Sequence, residues 1–341
     1  MSNRSRARWL VVAALIALIG FGGCRSCEPF TVRTRVVNET APSKDMLPIY
    51  EMPVGSTYDC ENRVAVIDVD GLLLNQNMTG FMSLGTNPVA DFRAKLDYAA
   101  SHNIRAIVVR INSSGGSVTA SDIMWRELNA FKSRCNVPIV ACLMDVGAGG
   151  GYYLATAADQ IVAHPTTLIG GIGVIMNLYD MEKQLENFNI FGQPIKAGEN
   201  VDLGSPLAPL SEEGEAILQN IADQMKSRFH DVISSGRGIG LSGDEDFLDG
   251  RVITSDRAQE AGLIDEIGYL DDSIQLASDL AGCRLSPVVL HRKDDVVQTA
   301  YGISPNDPSQ SSIISLDIPG IKRSKLPLFL YIWQPDPTIE R

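Results

Sequence analysis

Two glycine-rich turns are the segments of this sequence most suited to chemistry, because each follows an apolar run predicted to be a strand. The first turn is Asn112-Ser-Ser-Gly-Gly-Ser-Val118 and the second is Gly147-Ala-Gly-Gly-Gly-Tyr152. Glycine lets backbone N–H groups approach a substrate carbonyl without interference from a Cβ atom. The second turn also opens a predicted helix, whose N-terminus favours negative charge. Because two converging turns of this kind form an oxyanion hole, we expect Gly115, Gly116 and Gly150 to bind a carbonyl oxygen.

The elements that must position these turns alternate between strands and helices. Apolar runs of strand length occur at Val64–Val69, Ile104–Ile111, Val137–Met144 and Gln160–Ala163. Helices are predicted over Pro88–His102, Ser121–Ser133, Tyr152–Ala158, Tyr179–Phe188 and Ser211–Ser234, the last with Ser211 as its cap and acidic residues in its first turn. This alternation predicts an α/β fold with a parallel sheet and right-handed crossovers.

Composition and charge exclude several classes of function. The 341 residues carry a formal net charge of −12, which argues against a nucleic-acid partner because phosphate binding needs a basic face. The four histidines have no metal-ligand spacing, and the five cysteines that follow Cys24 are too few and too scattered for a disulfide framework. We therefore expect no structural metal, no cofactor and no disulfide scaffold.

The N-terminus is predicted to be a targeting segment. Residues 1–24 combine Arg4, Arg6 and Arg8 with the apolar run Trp9–Phe21, which is shorter than a spanning helix, and end at Cys24 after small residues. This pattern resembles a bacterial lipoprotein processing site, which would make Cys24 a lipidated N-terminus; an uncleaved signal anchor is the alternative. Either interpretation predicts a bacterial cell-envelope protein that is held at a membrane with its domain outside the cytoplasm. Residues 25–60, which contain prolines but no apolar periodicity, are predicted to be a tether.

Several motifs, taken together and in order, resemble those of the signal peptide peptidase A (protease IV) family. They are Arg110-Ile-Asn-Ser-Ser-Gly-Gly, Ala148-Gly-Gly-Gly-Tyr-Tyr153, Leu168-Ile-Gly-Gly-Ile-Gly-Val174, Ile195–Pro206 and Asp249-Gly-Arg-Val252 with Ala261–Gly268. The family comprises membrane-bound serine/lysine endopeptidases. The resemblance implies a Clp protease/crotonase-type spiral of βαβ units over 61–284, followed by a tail over 285–341, and a ring-forming oligomer.

The sequence departs from the family at the two residues that carry its chemistry. The family's serine attacks the peptide carbonyl and a neutral lysine removes the proton. Carried over by motif, the serine position is Gly149 and the lysine position is Val201. The resemblance therefore implies a catalytically inactive homologue that binds hydrophobic or signal peptides, as a homo-oligomer or together with an active paralogue.

Two alternatives stay open. Ser113, Ser117 and Lys196 could act as relocated catalytic residues of an active serine endopeptidase, provided that a base lies within about 3 Å of a hydroxyl. His164, which precedes a proline, is interpreted as a structural or surface histidine. The glycine turn also resembles that of crotonases, which implies acyl-thioester binding, although Pro165–Asn177 lacks the acidic residues that crotonase hydratases need.

Overall fold

A computed structural model of the chain describes residues 48–54, 61–76, 87–189, 191, 193–238, 246–292 and 329–333. The predicted signal segment and Cys24 lie outside these residues. The described strands are β1 (Ile49–Pro53), β2 (Arg63–Leu73), β3 (Ile104–Ser117), β4 (Ile139–Ala148), β5 (Gln160–Ala163), β6 (Leu168–Gly170), β7 (Val252–Thr254), β8 (Glu266–Ile267), β9 (Ser286–Arg292) and β10 (Leu330–Ile332). The described helices are α1 (Pro88–Ser101), α2 (Val118–Cys135), α3 (Gly150–Ala155), α4 (Glu182–Asn187), α5 (Glu212–Arg237), α6 (Ser255–Glu260) and α7 (Leu270–Ala281), with a 3₁₀ turn at Asp246–Asp249.

The sheet is mainly parallel, in the order β1-β9-β2-β3-β4-β5-β8. Only β1 at the edge runs antiparallel to its neighbour along this path. β4 pairs with β5 along its first half and with β6 at its end, so the sheet divides where the second glycine turn begins. The α/β prediction is therefore confirmed.

Two apolar clusters hold the sheet. In the larger one, side chains of β2, β3 and β4 pack against α1, α2, α3 and α5, and the predicted α1 face of Val89, Phe92, Leu96 and Ala99 is buried there. In the smaller one, the opposite face of the same strands packs against α7. Strands covered on both faces are expected to be near-continuous apolar runs. Ile104–Ile111 fits this expectation, because all of its residues except two arginines are apolar.

A buried ionic cluster joins α1 to the end of β9. The carboxylate of Asp91 accepts bonds from Lys95 (2.8 Å) and Arg292 (2.7 Å), and all three side chains are almost fully buried. Burial by itself would raise the pKa of Asp91, but the two cations lower it below its ordinary value.

The predicted domain limits differ from the structure at both ends. The tether predicted for 25–60 includes β1, whose register runs from Ile49 opposite Arg292 to Pro53 opposite Val288. An edge strand tolerates a proline such as Pro53, because one side of it needs no partner. The predicted domain also stops at residue 284, whereas β9 continues the sheet and β10 returns to it from the predicted tail.

Candidate functional site

The first glycine turn is a continuation of β3. Gly115 has a φ of 113°, which favours glycine, and its N–H donates to Ser113 Oγ (3.1 Å). Ser113 Oγ in turn donates to the carbonyl oxygen of Gly71 on β2 (2.6 Å). The Ser113 hydroxyl therefore fixes the turn against the neighbouring strand.

The second turn presents Gly149 as the residue before α3. Its φ of 50° and ψ of −124° lie in a region where a residue with a side chain is strained, as in the strand-to-helix turns that carry nucleophilic serines. The Gly149 N–H donates to the carbonyl oxygen of Gly170 (2.9 Å), which ties this turn to β6. The backbone keeps the geometry of a nucleophile turn although Gly149 supplies no nucleophile.

A groove lies between the end of β3 and Ile175, and β10 occupies it. On one side, the Trp333 N–H donates to the Ser114 carbonyl (2.9 Å) and the Val118 N–H donates to the Phe329 carbonyl (3.4 Å). On the other side, Leu330 and Ile175 exchange two backbone hydrogen bonds of 3.0 Å. The segment is therefore bound as an antiparallel strand along both of its edges.

The carbonyl group of Tyr331 lies where the two glycine turns meet. Tyr331 is opposite Gly116 in the β3–β10 register. The pairs two residues away on either side, Phe329–Val118 and Trp333–Ser114, are joined by hydrogen bonds. Because every second pair of an antiparallel ladder is hydrogen-bonded, the Gly116 N–H is directed at the Tyr331 carbonyl. A Cβ atom on Gly115 would lie 1.8 Å from that carbonyl oxygen and 2.7 Å from the nitrogen of Gly150. A Cβ atom on Gly149 would lie 2.7 Å from the Tyr331 carbonyl carbon. The nucleophile position thus faces the carbon of a bound peptide bond.

The ring of Tyr331 fills an aromatic pocket, where it is 0% exposed. It stacks on Tyr153 (ring centroids 5.3 Å apart) and packs against Phe229 (4.8 Å), and its hydroxyl donates to the Met225 carbonyl (2.5 Å). Burial raises the pKa of the Tyr331 phenol above its ordinary value. The phenol is therefore a neutral hydrogen-bond donor over the whole physiological pH range.

An ionic contact supports the outer wall of this pocket. The Tyr153 hydroxyl donates to Asp122 (2.5 Å), whose carboxylate also accepts a bond from Arg228 (3.0 Å). Burial first, and then the bond to Asp122, raise the pKa of the Tyr153 phenol. Arg228 lies over the ring of Trp125, 5.5 Å from its centroid. These contacts fix the orientation of the Tyr153 ring that Tyr331 meets.

The structure brings together the predicted glycines but not the relocated catalytic residues. Gly115, Gly116 and Gly150 border the Tyr331 carbonyl as described above. Ser117 is the N-cap of α2 and accepts a bond from Ala120 N (3.5 Å).

Lys196 and Val201, the relocated base candidate and the family's lysine position, both lie between α4 and α5. Lys196 Nζ donates to both carboxylate oxygens of Asp202 (2.8 and 3.0 Å) and to the Glu199 carbonyl (3.2 Å). Val201 is 66% exposed. His164 contacts Thr166 Oγ1 (2.8 Å) and the ring of Tyr269.

Sequence reasoning missed residues that line the groove and its aromatic pocket. Ile175 forms its second edge, and Met225 and Phe229 contribute to the pocket. Met225 and Phe229 lie on the apolar side of the helix predicted over Ser211–Ser234. An apolar side of this kind more often packs into a hydrophobic core than lines a binding pocket. Among the described residues, no cluster of three or more His, Cys, Asp or Glu side chains could hold a metal. No described helix is long and apolar enough to span a membrane.

Comparison with known proteins identifies the family. The model of peptidase family S49 matches residues 132–284, which include Gly149 and Val201. A putative protease from Synechocystis sp. is 33% identical over 190 residues, which are 56% of this chain and 68% of the relative. The chain belongs to peptidase family S49. The resemblance predicted from the motifs is thereby confirmed.

Two further comparisons involve a plant protease and a solved structure. The chloroplastic serine protease SPPA of Arabidopsis thaliana is 34% identical over 55% of this chain, but only 28% of its own length is matched. Among solved structures, a mutant of the 1510-N membrane-bound stomatin-specific protease is similar with a TM-score of 0.40 and 16% identity, over 64% of this chain and 86% of that chain. The chain thus spans 28% to 68% of the length of these two curated relatives.

Proposed function

We propose that this S49 protein is a catalytically inactive homologue that binds hydrophobic peptides in an extended conformation. The observation that carries the proposal is the position of Gly149, where a built Cβ atom would lie 2.7 Å from the carbonyl carbon of a strand bound in the groove. Covalent catalysis needs a hydroxyl or thiol at that point, and glycine has neither. The binding functions of the site, namely two strand edges and converging N–H groups, do not depend on the missing side chain.

The contacts of the alternative catalytic residues support the same proposal. Ser113 and Ser117 use their hydroxyls to fix the turn and to cap α2. A lysine that acts as a general base needs a free electron pair, whereas Lys196 donates to Asp202 and to a backbone carbonyl. The bond from Lys196 lowers the pKa of Asp202, as expected for a carboxylate paired with an ammonium group.

Hydrolysis of a fluorogenic hydrophobic peptide by the full chain in detergent tests the proposal. The natural chain is compared with the Gly149→Ser/Val201→Lys double variant, each with the natural tail and with Tyr331→Ala, so that the occupied groove does not hide activity. We expect no hydrolysis and no fluorophosphonate labelling of the natural chain, and hydrolysis by the double variant. Hydrolysis by the natural chain would refute inactivity, and Ser113→Ala, Ser117→Ala and Lys196→Ala would then locate the residues responsible.

We further propose that the protein is tethered to a membrane of the bacterial cell envelope through lipidated Cys24 and that it assembles with copies of itself or with an active relative. The sequence Phe21-Gly-Gly-Cys24 supports the lipid. Incorporation of a labelled fatty acid, compared between the natural chain and Cys24→Ala, tests the tether. Equal labelling of the two chains would rule out lipidation at Cys24. Cross-linking in the native membrane, followed by mass spectrometry, tests the assembly.

A further inference from the structure

We propose that the groove selects extended peptides with a tyrosine at the position of Tyr331, and that the chain's own segment Phe329–Trp333 is its resident ligand. This inference rests on the proposed function, because it names the ligand class of the same groove. It also assigns a role to the apolar run Leu326-Pro-Leu-Phe-Leu-Tyr-Ile-Trp333 of the predicted tail. External peptides must displace this segment before they can bind.

The backbone contacts are those of a bound peptide. A ligand that adds a strand to an exposed sheet edge gains affinity from main-chain hydrogen bonds, which are independent of its sequence. Here, Trp333 and Val118 contribute such bonds on the β3 side, and Leu330 contributes two on the Ile175 side. The groove therefore accepts many sequences in one direction, antiparallel to β3.

The side chains add selectivity at one position. Leu330 and Ile332 are partly exposed, whereas the ring of Tyr331 between them is fully buried among aromatic side chains. Buried aromatic residues in the centre of an interface carry most of its binding free energy. A tyrosine also satisfies the Met225 carbonyl, which its hydroxyl reaches at 2.5 Å. An aliphatic residue would fill less of the pocket and would lose the hydrogen bond to the Met225 carbonyl.

The loss of the nucleophile also makes room for this ligand. A Cβ atom on Gly149 would lie 2.4 Å from the Tyr331 carbonyl oxygen and 3.0 Å from the Cα of Ile332, and real Cβ atoms do not approach other atoms so closely. On the far side of the groove, the Cβ position of Gly171 is 3.1 Å from the Cβ of Trp333. The segment fits this groove because two glycines border it.

Fluorescence anisotropy with a labelled peptide of residues 322–336 tests the inference on the full chain. We expect the Tyr331→Ala chain to bind this peptide at least about tenfold more tightly than the natural chain, since its own segment competes less well. We expect the same peptide with alanine in place of its tyrosine to bind at least about tenfold more weakly. Tyr50→Ala, which removes a tyrosine from edge strand β1, is the matched control and should bind like the natural chain.

A second variant covers the case in which Tyr331→Ala does not fold. Leu330→Pro removes the hydrogen bond from Leu330 N–H to Ile175 and keeps the tyrosine, so it should also bind the peptide more tightly. Equal binding by the natural chain and a folded groove variant would overturn the claim that the segment occupies the groove. Equal binding of the two peptides would overturn the tyrosine preference. Cleavage of the peptide, monitored by mass spectrometry in the same samples, would instead refute the proposed inactive function.

Discussion

At the scale of single residues, Gly149 has a steric role in addition to its missing chemistry. It combines a positive φ with a Cβ position that would lie only 2.4 Å from the Tyr331 carbonyl oxygen. An added methyl group would therefore face both backbone strain and a clash with β10. A positive φ does not by itself bring such a clash, because Gly282, which also has a positive φ, has no atom within 4 Å of a built Cβ.

We predict that Gly149→Ala displaces the C-terminal segment. Limited proteolysis should cut the variant within 329–333 faster than the natural chain, because the segment loses its place beside the glycine turn. The backbone strain alone should lower the free energy of unfolding by about 1–3 kcal/mol. Gly282→Ala has a positive φ without the clash, so proteolysis within 329–333 at an equal rate in both variants would argue against displacement.

The buried carboxylate of Asp91 leads to a prediction about stability and pH. Asp91→Asn removes the buried carboxylate that pairs with Lys95 and Arg292, which should lower the free energy of unfolding by about 3–5 kcal/mol. Asp97→Asn, on the exposed side of the same helix, removes only exposed ion pairs and should cost less than about 1 kcal/mol. Urea denaturation at pH 7 measures both, and equal losses would contradict the role of burial.

The pH dependence follows from the direction of the pKa shift. Since the folded state holds the Asp91 pKa below its ordinary value of 3.8, the carboxylate stabilises the fold fully above about pH 3.8. That contribution is lost as the pH falls through the lower pKa of the folded state. The difference in stability between the natural chain and Asp91→Asn should therefore shrink in acid.

At the scale of elements, helix α5 shows what local sequence can specify. Ser211 was predicted as its cap, and the structure confirms that Ser211 Oγ accepts a bond from Gly214 N (3.0 Å), with Glu212, Glu213 and Glu215 in the first turn. We predict that Ser211→Ala lowers the free energy of unfolding by about 1 kcal/mol. Ser235→Ala near the other end, where the hydroxyl only donates to a carbonyl four residues earlier, is the control and should change it less. Chemical denaturation distinguishes the two.

The elements that sequence could not specify depend on distant partners. Asn112–Val118 was predicted as a turn because of its glycines, yet β3 extends to Ser117, where it pairs with β10 more than 200 residues later in the chain. β1 lacks periodicity and contains Pro53, and its strand conformation comes from pairing with β9. The motifs were enough to single out the glycines of the two turns, whereas the aromatic pocket required knowledge of which helix covers the turn.

At the scale of the whole molecule, we expect β10, the last of the described strands, to unfold together with the rest of the domain. Deletion of 329–341 removes β10 and empties the pocket of Tyr331, so we predict a loss of about 3–5 kcal/mol in the free energy of unfolding, as for other large buried aromatic residues. Deletion of 334–341 keeps the paired segment and is the matched control. Adding the peptide of residues 322–336 to the shorter chain should restore part of the stability by mass action. An unchanged melting temperature after both deletions would contradict this prediction.

Because β10 and its groove belong to one polypeptide, their association does not depend on protein concentration. For a tethered ligand, the effective concentration is on the order of millimolar. The apparent affinity for a free peptide is the affinity of the empty groove multiplied by the fraction of molecules whose groove is empty. A peptide therefore competes only if it is abundant or makes better contacts than Phe329–Trp333. The chain's own segment thus sets the peptide concentration that is needed for binding. Dilution of the protein leaves that concentration unchanged.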